Sequence, residues 1–132
     1  MSRVLVDSSI WVEFFRRPDA AASLVLDDLL AHRLVCTTGV IKAEVVPGAR
    51  SPKEFRRLRA LFDGLPLAPA REGFWAHLVR FRRRLHSKGI LGIGTPGLIV
   101  ATVAIQNRKL VFTADEGFPR MAPHVPVRLF AP

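Results

Sequence analysis

The sequence predicts an α/β fold, a three-layer sandwich in which helices cover both faces of a central, mainly parallel sheet. Three observations carry this expectation. Short apolar runs rich in Val and Leu recur along the chain, and they lack the in–out alternation of a half-exposed strand. Helical patterns separate them. Acids stand at the ends of two runs, where open α/β sheets bind ligands: Asp7 closes Val4-Leu5-Val6, and Asp115 closes Leu110-Val111-Phe112-Thr113-Ala114.

The predicted strands cover residues 3–6, 33–37, 65–67, 109–113 and 125–130. After Ser8 and Ser9, Trp11, Phe14 and Phe15 repeat at helical spacing and are assigned to the core in preference to a base-stacking platform. A short helix holds Glu44 among Val40, Ile41, Ala43, Val45 and Val46, so it is expected to be buried on most sides. An acid among them suggests a positive partner. A helix over 71–88 places Phe74, Leu78, Phe81 and Leu85 in one stripe at about 100° per residue. Glu72, Ala76, His77, Arg80, Arg83 and Arg84 fall on the opposite face, which is either a plain solvated surface or one that tracks phosphates. Thr95 is expected as N-cap and Pro96 as the first residue of a helix through Ile105, which puts Gly97 in its first turn.

A chain of 132 residues with 49% hydrophobic content fits one domain, residues 1–132. No apolar run reaches the roughly 18 residues of a membrane span, and residues 1–3 lead straight into a strand, so a cytoplasmic protein is expected. The single cysteine, Cys36, lies in an apolar run and excludes a disulfide framework. Twenty Lys and Arg against eleven Asp and Glu give a net charge of +9 and a pI near 11.4. Charge of that sign, clustered at Arg80, Arg82, Arg83 and Arg84 and at Arg56, Arg57 and Arg59, suggests a polyanion or an acidic protein partner.

Each acid has a structural and a functional reading. Asp7 either caps the helix that follows or faces a ligand, and the two serines beside it are available for capping. Glu44 is an ordinary helix glutamate or a buried acid with a positive partner, and Asp115 is a turn acid or part of a site. Gly97 is unfavourable in a first helical turn by about 1 kcal/mol relative to Ala. The macrodipole favours an acid there, and an aspartate would project beside Asp7 and Asp115. Gly92-Ile93-Gly94-Thr95-Pro96-Gly97 spells a dinucleotide-binding fingerprint, but an arginine-rich helix precedes it where a strand is required. A phosphatase with an aspartyl nucleophile would want an acid or Thr two residues after Asp7, and Ser9 stands there.

Four segments, Val4-Leu5-Val6-Asp7-Ser8-Ser9-Ile10-Trp11, Glu44 to Arg50, Gly94 to Thr102 and Phe112 to Phe118, resemble in order and spacing the motifs of PIN-domain ribonucleases. The branch they resemble is the VapC-type toxins of bacterial and archaeal toxin–antitoxin pairs. The resemblance implies endonucleolytic cleavage of RNA, an acidic cluster that binds Mg²⁺ or Mn²⁺, a homodimer, and a cognate antitoxin that lays a peptide segment into the acidic groove. It carries Asp7, Glu44 and Asp115 over as active-site acids, with Asp7 and Asp115 as metal ligands and Ser9 and Thr113 in support. Arg80, Arg83 and Arg84 are the candidate RNA contacts. The chain departs from the family at Gly97, where an aspartate and further metal ligand is expected, and at Gly117, where many members carry another acid. Mg²⁺ is held by few carboxylates, so the loss of one implies weakened metal binding and cleavage. The alternative is a non-catalytic module that binds RNA or antitoxin.

Overall fold

The computed structural model describes residues 2–132. Four short strands, β1 (Val4–Val6), β2 (Val35–Cys36), β3 (Leu110–Phe112) and β4 (Arg128–Leu129), form one sheet in the order β2-β1-β3-β4, with every neighbouring pair parallel. Seven helices accompany them among the described residues: α1 (Ser8–Arg16), α2 (Ala21–Ala31), α3 (Gly39–Val45), α4 (Pro52–Asp63), α5 (Phe74–Ser87), α6 (Thr95–Asn107) and α7 (Gly117–Met121). A 3₁₀ turn, Val46–Gly48, follows α3. The predicted α/β sandwich with a parallel sheet is the observed architecture.

β1 sits in the interior of the sheet. Val4, Leu5 and Val6 are all fully buried although successive side chains point to opposite faces, so both faces are covered. Register pairs Leu5 with Val111 and Val6 with Phe112, and the Asp7 amide donates to the Phe112 carbonyl at 2.9 Å. This pairing brings the carboxyl ends of β1 and β3 side by side. α6 is apolar almost all round, with Leu98 and every residue from Val100 to Ala104 buried, as expected of a helix inside the fold. Its last turn ends where Arg108 adopts a left-handed conformation (φ 54°) and the Lys109 amide returns to the Ala104 carbonyl. α4 begins on a capping interaction: Ser51 Oγ accepts from the Glu54 amide at 3.0 Å.

Trp11 is the aromatic centre of the core. It packs against Phe62 of α4 at a ring distance of 4.7 Å and against Phe14 and Phe15 at 6.0 Å each. The core reading of Trp11 therefore holds, while Phe14 is half-buried and Phe15 is 37% exposed.

Several predicted elements are shorter than expected. The run 65–67 contributes one isolated parallel bridge, Thr37 with Leu67. The run 125–130 pairs only over Arg128–Leu129, because Val125 bonds back to the Met121 carbonyl and Val127 to that of Val125. α5 starts at Phe74 and not at 71, since Gly73 takes a positive φ of 75° that breaks the helix before it. Its stripe of Phe74, Leu78 and Leu85 is buried and Phe81 partly so. The expected polar face is mixed: Trp75 and Val79 are each 64% exposed, and His77 is half-buried against Gln106 and Phe81. α6 is capped by Gly94, which is extended, so Thr95 and Pro96 are its first two residues and Gly97 its third.

Phe62, 1% exposed against Trp11, should be far more costly to truncate than Trp75. Phe62→Ala is expected to cost about 3–5 kcal/mol of unfolding free energy, and Trp75→Ala less than about 0.5 kcal/mol. Urea denaturation of the two variants measures both; equal losses would contradict this packing.

Candidate active site

Asp7 leaves β1 at its carboxyl end and occupies the N-cap position of α1 with extended backbone. Its side chain makes no capping bond. Instead, Oδ2 accepts two hydroxyl bonds of 2.9 Å, from Ser9 Oγ on α1 and from Thr113 Oγ1 just beyond β3. These hydroxyls are themselves held: the Ala114 amide donates to Ser9 Oγ at 3.0 Å, and the Asp115 amide donates to Thr113 Oγ1 at 2.9 Å. Both side-chain bonds fall on Oδ2, which leaves the lone pairs of Oδ1 for another partner. Asp7 is only 5% exposed, yet the ion pairs among the described residues give neither it nor Glu44 a basic partner. A buried carboxylate without a countercharge is costly, and a bound cation is one way to relieve it.

A cleft of about 440 Å³ gathers the rest, lined by Asp7, Glu44, Gly97, Asp115 and Glu116 together with the loop Gly92–Gly94. Asp115 serves partly as the turn acid the sequence allowed, because its Oδ1 accepts from the Gly117 amide at 2.8 Å. A Cβ added at Gly117 would lie 3.2 Å from that oxygen and from Ile93 Cδ1, so a side chain there is crowded. At Gly97 an added Cβ meets no atom within 4 Å. The position faces open cleft.

Glu44 corrects one expectation. Ile41, Val45 and Val46 are buried, but Ala43 and Glu44 itself are exposed, so α3 has one covered side and not several. The positive partner expected for an acid in this helix is not found among the described residues; the charged group that acts on it is another acid. Partial desolvation, then the neighbouring Asp7 charge, push its carboxyl above the usual range, against a hydrogen bond from Ser8 that lowers it. Burial likewise pushes the Cys36 thiol up, in keeping with an inert core residue.

The donor set is all carboxylate oxygen, the kind Mg²⁺ and Mn²⁺ take, and Mg²⁺ is content with one or two protein carboxylates beside waters and substrate phosphates. Among the described residues no group of three or more His, Cys, Asp or Glu is close enough together to hold a metal ion. The acids line one cleft without closing into a three-carboxylate cage. They suit such an ion in kind and fall at the low end in number.

Arg80, Arg83 and Arg84 do not line this cleft. They border a shallow cavity along α5 with His77, Phe81 and Ser87. Two bonds anchor α5: Arg82 Nη1 donates to the carbonyl of Ile93, which lines the cleft, at 2.6 Å, and Arg84 Nε to the His124 carbonyl beyond α7 at 2.7 Å. Sequence reasoning missed Arg120. It lines the cleft from α7 and donates to the Leu91 carbonyl at 2.7 Å, and a lone arginine on so short a helix gives no pattern to read. It also missed a groove of about 670 Å³ lined by residues of α1 and α4, including Phe14, Phe15, Arg57 and Leu58, which meets the acidic cleft at Glu44.

A family model for the PIN domain matches residues 4–123. The chain belongs to the PIN-domain family. PIN domains are generally nucleases that use divalent metals, which suits a cleft lined by acids. No curated protein sequence matches the chain. Among solved structures, VapBC2 from Rickettsia felis, bound to a DNA fragment from its promoter, is similar with a TM-score of 0.76 at 16% identity over 96% of each chain. FitAcB from Neisseria gonorrhoeae reaches a TM-score of 0.73 at 23% identity over 97% of this chain and 96% of that one. A toxin–antitoxin complex from Klebsiella pneumoniae reaches 0.66 at 18% over 87% and 89%. At these identities the likeness is one of fold. Among the described residues of this PIN domain, no helix is long and apolar enough to cross a membrane.

Because ionising Glu44 is disfavoured in the fold, its cost is present above its raised pKa and disappears once pH falls below the ordinary carboxylate range. Glu44→Gln should therefore raise the melting temperature of metal-free protein at pH 7 and lose that advantage below about pH 4. A calorimetric melt at the two pH values measures this; an unchanged or lower melting temperature at pH 7 would contradict the assigned desolvation and repulsion.

Proposed function

We propose that this chain is the endoribonuclease toxin of a type II toxin–antitoxin pair, a single PIN domain whose activity depends on Mg²⁺ or Mn²⁺ and is weakened by Gly97. The observation that supports this best is the convergence of Asp7, Glu44 and Asp115 on one cleft beside an uncrowded Gly97. Asp7 and Glu44 would hold the ion; Asp115, expected from the family motif as a ligand, has Oδ1 engaged by the Gly117 amide and would orient a water. An ion held by these acids would supply charge neutralisation on the phosphoryl oxygens and a water of lowered pKa.

The chain's own residues perform the remaining tasks. Ser9 and Thr113 fix the Asp7 carboxylate so that Oδ1 is presented without a search over rotamers. Glu44 reaches the cleft from α3, and a cation bound there would relieve the desolvation and Asp7 repulsion that disfavour its charge. Arg80, Arg83 and Arg84 would bind the RNA backbone outside the cleft, and Arg82 carries that surface to the loop at Ile93. The antitoxin would occupy the groove along α1 and α4 and reach Glu44 from there, with the protein acting as a homodimer in the cytoplasm.

Gly97→Asp restores a ligand where space exists for it, so it is expected to raise RNA cleavage at millimolar Mg²⁺ by at least about tenfold. Asp7→Ala should abolish cleavage in both backgrounds. Cleavage by the unaltered chain equal to that of Gly97→Asp would contradict the weakening. The second reading, a binding module without catalysis, draws on the basic surface of α5. It predicts RNA binding without divalent metal, with a salt slope that falls by about 0.7 for each of Arg80 and Arg83 changed to Ala. Cleavage by neither the chain nor Gly97→Asp, with that binding intact, would favour it.

A further inference from the structure

Gly97 is the third residue of α6 and part of the cleft wall, and a Cβ there would touch nothing within 4 Å. Few oxygen donors of the cleft converge on one point. Asp7 spends Oδ2 on two hydroxyls, Asp115 spends Oδ1 on the Gly117 amide, and no three-carboxylate cluster forms among the described residues. The second glycine of the cleft cannot easily make up the deficit, because a side chain at 117 runs into Asp115 and Ile93. Asp7 itself is buried and has no basic partner. The demand for a cation is therefore present, while the place from which another oxygen donor would reach it is open.

Glycine and aspartate differ by one acetate unit. We propose that the space over Gly97 is a binding site for a small free carboxylate of acetate size, which completes the oxygen shell of a divalent cation held by Asp7 and Glu44. The inference rests on the metal-dependent reading above. In the metal-free cleft the carboxylate meets four acids and is repelled, so carboxylate and cation bind cooperatively. A free ligand forgoes the advantage of attachment and must be supplied at high concentration. Arg120 lines the same cleft while donating to the Leu91 carbonyl, and the chain's net charge of +9 favours anions at long range.

The test is Mn²⁺ calorimetry on the full chain in sodium acetate and in sodium chloride at equal ionic strength, repeated on Gly97→Asp and Gly97→Leu, with circular dichroism to confirm that both variants fold. Acetate should raise the Mn²⁺ affinity of the unaltered chain severalfold. Gly97→Asp should bind Mn²⁺ at least about tenfold more tightly in chloride and show no response to acetate. Gly97→Leu, which fills the space without a donor, should lose the acetate response without tightening. An acetate response of equal size in all three chains overturns the assignment to position 97. So does its absence from the unaltered chain while Gly97→Asp still binds more tightly, and that result leaves the metal-dependent reading standing. If no chain binds Mn²⁺, both fail.

Discussion

The two hydroxyl bonds on Asp7 Oδ2 are the constraint on which the candidate site depends. Ser9 comes from α1 and Thr113 from the end of β3, so one carboxylate joins the two segments that leave adjacent parallel strands. Hydrogen bonds to a charged group contribute about 1.5–3 kcal/mol each where they are well made. Here that stabilisation offsets part of the cost of keeping Asp7 buried beside a second acid. The backbone amides of Ala114 and Asp115 hold the two hydroxyls in turn, so the β3–α7 turn and the carboxylate orient one another. The pairing of β1 with β3 thus delivers both the fold's central register and the geometry at its edge.

Charge balance explains the remaining features. Partial desolvation, and after it the neighbouring Asp7 charge, push Glu44 towards its neutral form, and neither acid forms an ion pair among the described residues. Asp63 on the surface is treated differently: it contacts Lys42 and lies 3.7 Å from Arg59, and its carboxyl is held below the usual range, chiefly by the Lys42 hydrogen bond. The contrast separates a surface ion pair from a cleft whose acids have no ion-pair partner among the described residues. Gly97 lessens the negative charge at that cleft and leaves the N-terminal end of α6 without the acid its dipole favours.

Much of this was legible in the chain, for identifiable reasons. The strand ends at Asp7 and Asp115 could be read because fully buried parallel strands appear as unbroken apolar runs, and ligands gather beyond their carboxyl ends. Gly97 was legible as an anomaly, since both propensity and dipole argue against glycine in a first turn. Strand lengths were not, because pairing in β4 stops where Val125 and Val127 turn back on their own backbone. Nor was the exposure of Glu44: the apolar residues beside it in sequence are spread around a helix of which only Ile41 and Val45 are buried. Arg120 and the groove along α1 and α4 arise from tertiary packing alone, and no local pattern announces either.

The central claim is that Asp7 and Glu44 await a divalent cation. The most direct test is a crystal grown with Mn²⁺ and measured for anomalous scattering at the manganese edge. The account predicts a single strong peak in the cleft between Asp7 and Glu44, within coordination distance of Asp7 Oδ1. A cleft without a peak at saturating Mn²⁺, or a basic side chain swung in to pair with Asp7, would contradict it.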